Sequence, residues 1–150
     1  MNGFDTFHGF FHFSHNGHRK IMSLMISISG IRGIVGESLS PEVVVRYARA
    51  FGEYCRRQDP MEPRVIVGRD GRITGRMIND ILSATLESVG VKVTDLGVCP
   101  TPTVQLAVEQ LHASGGIAIT ASHNPMQWNG MKFLASTGML SNDATDPICF

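Results

Sequence analysis

Residues 120–133 read TASHNPMQWNGMKF and bring a hydroxyl (Ser122), an imidazole (His123), an amide (Asn124) and an amine (Lys132) into one short stretch. Two chemistries suit such a set. In the first, His123 takes the proton of Ser122 and the serine attacks an acyl group. Neighbouring side chains on extended chain point to opposite sides, and A-S-H lacks the glycines of the G-x-S-x-G elbow, so a serine hydrolase is disfavoured. In the second, Ser122 carries a phosphoryl group, which adds about −1.5 to −2 charges and three acceptor oxygens and so needs cations and donors nearby. His123, Asn124, Lys132 and, from an earlier segment, Arg32 are the candidates. The competing structural reading is a polar turn ended by Pro125 and followed by an edge strand over 131–136, with Lys132 in solvent. Residue types and spacing alone favour that turn.

Two further segments bear on the choice. In SGIRGIVGES the glycines at 30, 33 and 36 match neither G-x-G-x-x-G nor G-x-x-x-x-G-K-[ST], which excludes the usual dinucleotide and P-loop geometries. What is left is a glycine-rich loop holding Arg32, equally suited to a solvated turn or to a planar donor fork for phosphate. GRDGRITGR places Arg69, Asp70, Arg72 and Arg76 close together. The alternating acids of a calcium loop are absent. Thr74 is expected to cap the next helix, with some of the arginines as surface charge, and an anion at the helix start stays open.

The elements that position these segments follow from periodicity. Residues 24–29 (LMISIS) read as a buried strand ending at Gly30, 64–68 (RVIVG) as the next, 91–97 (VKVTDLG) as a third and 115–120 (GGIAIT) as a fourth. Ser40-Pro41-Glu42 starts a helix with Ser as N-cap, Pro at the first helical position and an acid at the positive end of the dipole. Its inward stripe is Val44, Tyr47, Ala48, Phe51, Tyr54 and Cys55. A second helix from Thr74 presents Ile78, Ile81, Leu82, Thr85 and Val89 and stops at Gly90; a third from Pro102 presents Val104, Ala107, Val108 and Leu111. Strands separated by helices specify crossovers, hence an α/β domain with three α/β/α layers and a mainly parallel, mixed sheet. Ligands of such sheets sit beyond the carboxyl ends of the strands, where the loops at 30–36, 68–75 and 120–125 are expected to converge.

At 150 residues there is room for one ordinary domain. Thirteen basic against thirteen acidic residues give no footprint for nucleic acid or an anionic membrane. Cys55, Cys99 and Cys149 are odd in number and without C-x-x-C pairing, so neither a disulfide framework nor a zinc site is indicated and a cytoplasmic protein is expected. No apolar run approaches the ~20 residues of a spanning helix. Residues 1–22 stand apart, rich in Phe and in His8, His12, His15 and His18, which on a helix would share a metal-binding face. Gly3, Gly9 and Gly17 oppose that helix, and Met22 and Met25 offer internal starts, so 1–22 reads as a disordered or misassigned extension.

T-A-S-H-N-P followed by N-G-M-K-F resembles the active-site serine loop of the α-D-phosphohexomutases, the family of phosphoglucomutase, phosphomannomutase and phosphoglucosamine mutase. S-G-I-R-G-I-V-G, G-R-D-G-R and P-T-P are similar to that family's first domain, in the family's order, over about Leu24 to Leu140. The resemblance implies a phosphohexomutase domain I at 23–142 with a divergent tail at 143–150. It implies that Ser122 is phosphorylated and exchanges its phosphoryl group with sugar phosphates through a sugar 1,6-bisphosphate. Arg32, Asn124 and Lys132 would meet the substrate, His123 and Lys132 would line the reacting centre, and Mg²⁺ would take an oxygen of the phosphate on Ser122. The family's acidic metal loop, sugar-selecting domain and phosphate-binding domain are not in these residues, so the expectation is a fragment, inactive or nearly so by itself. The alternative is a non-catalytic remnant or binding module.

Overall fold

The computed structural model describes residues 24–28 and 30–140. The histidines of the 1–22 segment and the tail at 143–150 lie outside them. The elements run β1 (Met25–Ser27), β2 (Gly30–Ile34), α1 (Pro41–Gln58), β3 (Arg64–Arg69), α2 (Gly75–Ser88), β4 (Lys92–Val98), α3 (Thr101–Gln110), β5 (Gly115–Ile119) and β6 (Trp128–Ala135).

The six strands form one sheet in the order β1-β2-β6-β5-β3-β4. β3 is parallel to β4 and to β5, while β6 is antiparallel to both β5 and β2. It follows that β2, β3, β4 and β5 all run one way and β1 and β6 the other: a mixed sheet, in which the helical crossovers give the parallel pairs β3–β4 and β3–β5 while β1–β2, β2–β6 and β5–β6 are antiparallel. Helices cover both faces. One core packs Val44, Ala48, Phe51 and Cys55 of α1 and Ile78, Leu82 and Leu86 of α2 against Val65, Val67, Ile117, Ile119, Met131 and Phe133 of the sheet. Phe51 and Phe133 meet with ring centroids 5.1 Å apart. The other core packs Val104 and Val108 of α3 on Ile66, Ala118 and Leu134. This alternation along β3, β5 and β6 is the period-two consequence of burying both faces.

Helix α1 begins as its residues dictate. Ser40 is extended, its Oγ accepts the Val43 N–H at 3.4 Å, and Pro41 occupies the first turn. Gly90, at φ +83°, follows the end of α2. Thr74 departs from expectation: its backbone is helical and its side chain caps nothing. Instead Thr74 Oγ1 accepts from Asn129 Nδ2 at 2.9 Å, which ties the start of α2 to the start of β6. Leu111 is exposed rather than inward.

Three strand readings are corrected. The segment at 24–29 is no buried crossover strand: β1 is a short edge strand, and Met25 and Ile26 are each 52% exposed. The glycine-rich stretch read as a loop is strand β2, which hairpins with β1 and pairs with β6. Gly30 sits at φ +110°, and a Cβ there would collide with the Met131 carbonyl, so the glycine serves a close backbone approach rather than a flexible loop. The stretch at 131–136 is no edge strand either; β6 starts at Trp128 and lies inside the sheet between β2 and β5.

Candidate active site

The loop between β5 and β6 leaves the carboxyl rim of the parallel strands. Its backbone is closed by local bonds. The Ser122 N–H donates to Thr120 Oγ1 at 3.0 Å, the Asn124 N–H to the Ala121 carbonyl at 3.1 Å, and the Trp128 N–H to the Pro125 carbonyl at 3.0 Å. Thr120, Ala121 and Trp128 are buried, while Ser122 and His123 are exposed. The loop therefore has an inward foot and an outward tip carrying the serine.

Ser122 has φ +53°, a left-handed conformation uncommon for a residue with a side chain. The extended geometry expected for Ser122 and His123 is thus replaced by a turn. The consequence for acyl chemistry is unchanged, since among the described residues no hydrogen bond joins the Ser122 hydroxyl to His123.

Arg72 is one of the loop arginines for which surface charge was expected. It is not at the surface: its side chain is 10% exposed and its guanidinium enters the serine loop. Nη1 donates to the carbonyls of Pro125 (2.8 Å) and Trp128 (3.1 Å), and Nη2 to those of Ser122 (3.0 Å) and Asn124 (2.8 Å). Nε faces Asp70 Oδ2 at 3.3 Å, while Asp70 Oδ1 accepts the Arg72 N–H at 3.0 Å. Arg76, by contrast, is a surface residue 3.9 Å from Asp80, and the Nε of Arg69 is buried without a hydrogen-bond partner.

Arg32 and Lys132 stand on neighbouring strands. Arg32 pairs with Gly130 across the β2–β6 ladder, and Lys132 lies two residues along β6 on the same face. A Cβ at 130 would sit 2.9 Å from Arg32 Cγ and 3.1 Å from the Thr120 carbonyl, so glycine is what lets the arginine cross the strand toward the loop. Arg32 Nη1 reaches Asn124 Oδ1 at 3.5 Å, a long contact at the limit of hydrogen bonding. Burial holds the Lys132 pKa below the ordinary lysine value, and the positive charge of Arg32 lowers it further. Of the five residues singled out from sequence, Asn124 and Arg32 touch, Lys132 feels Arg32, and Ser122 and His123 form the exposed tip of the same loop. Sequence reasoning missed Asn129, fully buried, whose Oδ1 accepts the Gly130 N–H at 2.9 Å, and it missed the destination of Arg72. Neither carried a signal, because the bonds by which Asn129 holds Thr74 and Arg72 holds the serine loop join ordinary polar residues to partners 50 to 56 residues away.

Among the described residues no three His, Cys, Asp or Glu side chains converge as a metal site. Asp70, the carboxylate built into this cluster, is committed to Arg72. These residues do not by themselves fit a divalent cation. Nor, among the described residues, is any helix long and apolar enough to cross a membrane.

Known proteins are similar to this chain in sequence and fold. A phosphoglucomutase/phosphomannomutase of Thermococcus kodakarensis is 42% identical over 118 residues, covering 79% of this chain and 26% of its own length. A phosphoglucosamine mutase of Exiguobacterium sibiricum is 38% identical over 125 residues, covering 83% of this chain and 28% of its own length. The crystal structure of a phosphoglucomutase/phosphomannomutase family protein from Burkholderia thailandensis superposes with a TM-score of 0.70 at 32% identity, over 83% of this chain and 30% of that one. The chain thus spans little more than a quarter of the length of the relatives it matches. Residues 25–149 match the family described as phosphoglucomutase/phosphomannomutase, alpha/beta/alpha domain I, and the chain belongs to that family.

Proposed function

We propose that this chain is the phosphoserine domain of a hexose- or hexosamine-phosphate mutase acting in the cytoplasm. In that reading Ser122 carries the phosphoryl group. A sugar hydroxyl attacks the phosphorus, the bond from phosphorus to Ser122 Oγ breaks, and the resulting 1,6-bisphosphate returns its other phosphate to Ser122. The net change is movement of phosphate between the 1- and 6-positions.

The observation that supports it most is an exposed serine on a loop whose Asn124 reaches Arg32, the arginine that also acts electrostatically on Lys132. Arg32 offers a planar fork, and Lys132, with its pKa lowered by burial and by Arg32, gains most when an anion enters beside it. The same lowering brings the neutral amine closer to use in accepting the sugar hydroxyl proton. His123 lines the exposed tip, and Asn124 links the loop to Arg32. A magnesium ion is part of the proposal, with the phosphate on Ser122 as the donor from this chain and carboxylates from elsewhere in a longer protein. When bound it would neutralise charge on the transferred oxygens.

The test is incubation with glucose 1,6-bisphosphate and magnesium, followed by mass analysis of the peptide around Ser122. Phosphate on Ser122, absent in Ser122→Ala, is the expected result. The non-catalytic reading has one feature in its favour, the exposed edge strand β1 with Met25 and Ile26 outward. A cooperatively folded protein that takes no label at Ser122 would decide for it.

A further inference from the structure

Arginine has five N–H donors and no acceptor. In Arg72 all five are used: two on the carbonyls of Pro125 and Trp128, two on those of Ser122 and Asn124, and the last on Asp70. No donor remains for a ligand, although the residue lies directly under the loop that carries Ser122. Four carbonyls of the segment 122–128 can meet one planar fork only when the loop curls around it.

That curl includes Ser122 at φ +53°. Such a conformation persists in a residue with a side chain when its surroundings over-determine it. Here the Ser122 N–H is held by Thr120 Oγ1 and its carbonyl by Arg72 Nη2, so both peptide groups flanking the side chain are fixed. The hydroxyl is left with its χ1 rotation and little else. Asp70 orients the fork in turn, through Nε and through the Arg72 N–H.

We infer that Arg72 is a positioning residue for phosphoryl transfer, acting through the backbone of Ser122 rather than on the substrate. The catalytic half of this inference rests on Ser122 as the phosphoryl carrier; the conformational half does not. Lysine cannot replace the arginine, because an ammonium offers three donors from a point and no plane.

The experiment compares the wild-type protein with Arg72→Lys by two readouts. One is the carbon chemical shifts and three-bond coupling of Ser122, which report φ. The other is the rate of Ser122 phosphorylation across a range of glucose 1,6-bisphosphate concentrations with magnesium. Expected in the variant are loss of the left-handed signature and a limiting rate about 10- to 100-fold lower, the scale of an ångström misplacement. The half-saturating bisphosphate concentration should stay within about twofold, since a residue that does not touch substrate leaves ground-state binding alone. An unchanged φ with an unchanged rate overturns the inference, as does a raised half-saturation at an unchanged limiting rate. If the wild type takes no label, the mutase reading falls and the Ser122 signature alone decides whether Arg72 positions the serine. If Arg72→Lys does not fold, Asp70→Asn decides: a slower limiting rate at unchanged half-saturation supports positioning, and an unchanged rate overturns it.

Discussion

Arg32 depresses the pKa of Lys132, its neighbour on the same face of the sheet, adding to a larger effect of burial. Neutralising the arginine therefore raises the lysine. In Arg32→Gln the Lys132 amine should titrate closer to the ordinary 10.5, as read by NMR of the side-chain nitrogen or its adjacent carbon. The sign for stability follows by linkage. Between the depressed folded-state pKa and 10.5 the unfolded chain binds more protons than the folded one, so stability rises with pH through that window. The rise should shrink in Arg32→Gln. An unmoved Lys132 titration in the variant would show that the two charges do not interact.

Gly130 is a steric requirement for the same pair. Adding a methyl group puts carbon 2.9 Å from Arg32 Cγ and 3.1 Å from the Thr120 carbonyl, with the Ile31 carbonyl closer still. Backbone cannot yield cheaply, so Gly130→Ala should cost about 1–3 kcal/mol in urea unfolding, the usual price of overpacking. Gly71→Ala is the control, because nothing lies within 4 Å of its added carbon. That change should stay within about 0.5 kcal/mol of wild type. Equal costs at the two positions would contradict the packing described.

The two described cysteines should differ sharply in reactivity. Burial pushes the Cys55 thiol up to about 12, and it packs within the α1 core. Cys99 is only partly buried, with a smaller rise. A thiol reagent at neutral pH, mapped by peptide mass, should label Cys99 in the native protein and Cys55 only on unfolding, because the thiolate is the nucleophile. The folded state holds the Cys55 proton longer than the unfolded chain does. Its contribution to stability is therefore complete below pH 9 and is lost as pH rises toward about 12. Native labelling of Cys55 at a rate matching Cys99 would refute the buried placement.

What the sequence disclosed and what it withheld divide along the range of the interactions. The Ser40 cap, the stop at Gly90 and the stripes of α1 and α2 depend on residues within a turn or two of each other, and they are legible. The parallel part of the sheet follows from strands alternating with helices. The hairpin of β1 and β2 was hidden because Gly30, read as the end of a strand, is instead where β2 passes close against the β6 backbone. The lone serine loop was visible as a cluster of chemistry. Its support was not, since Arg72 reaches carbonyls 50 to 56 residues away, and a carbonyl acceptor leaves no mark on residue type.

Thr74 offers a direct contest between the local expectation and the long-range contact. As a helix cap it would act alone, and its loss would be independent of Asn129. As observed, its hydroxyl oxygen accepts from Asn129 Nδ2 at 2.9 Å, and Asn129 is fully buried. Removing the hydroxyl leaves a buried amide hydrogen without a partner, which costs about 1–3 kcal/mol. Removing the amide as well cancels that penalty. Thr74→Val, Asn129→Ala and the double variant should therefore be non-additive in urea unfolding, with a coupling of about 0.5–3 kcal/mol. Strict additivity would return Thr74 to the role of a cap and detach α2 from the base of the serine loop. The distinction reaches the site because Asn129 also fixes the Gly130 N–H, and Gly130 is the gap through which Arg32 crosses. A coupled pair means that the start of α2 helps set where that arginine stands.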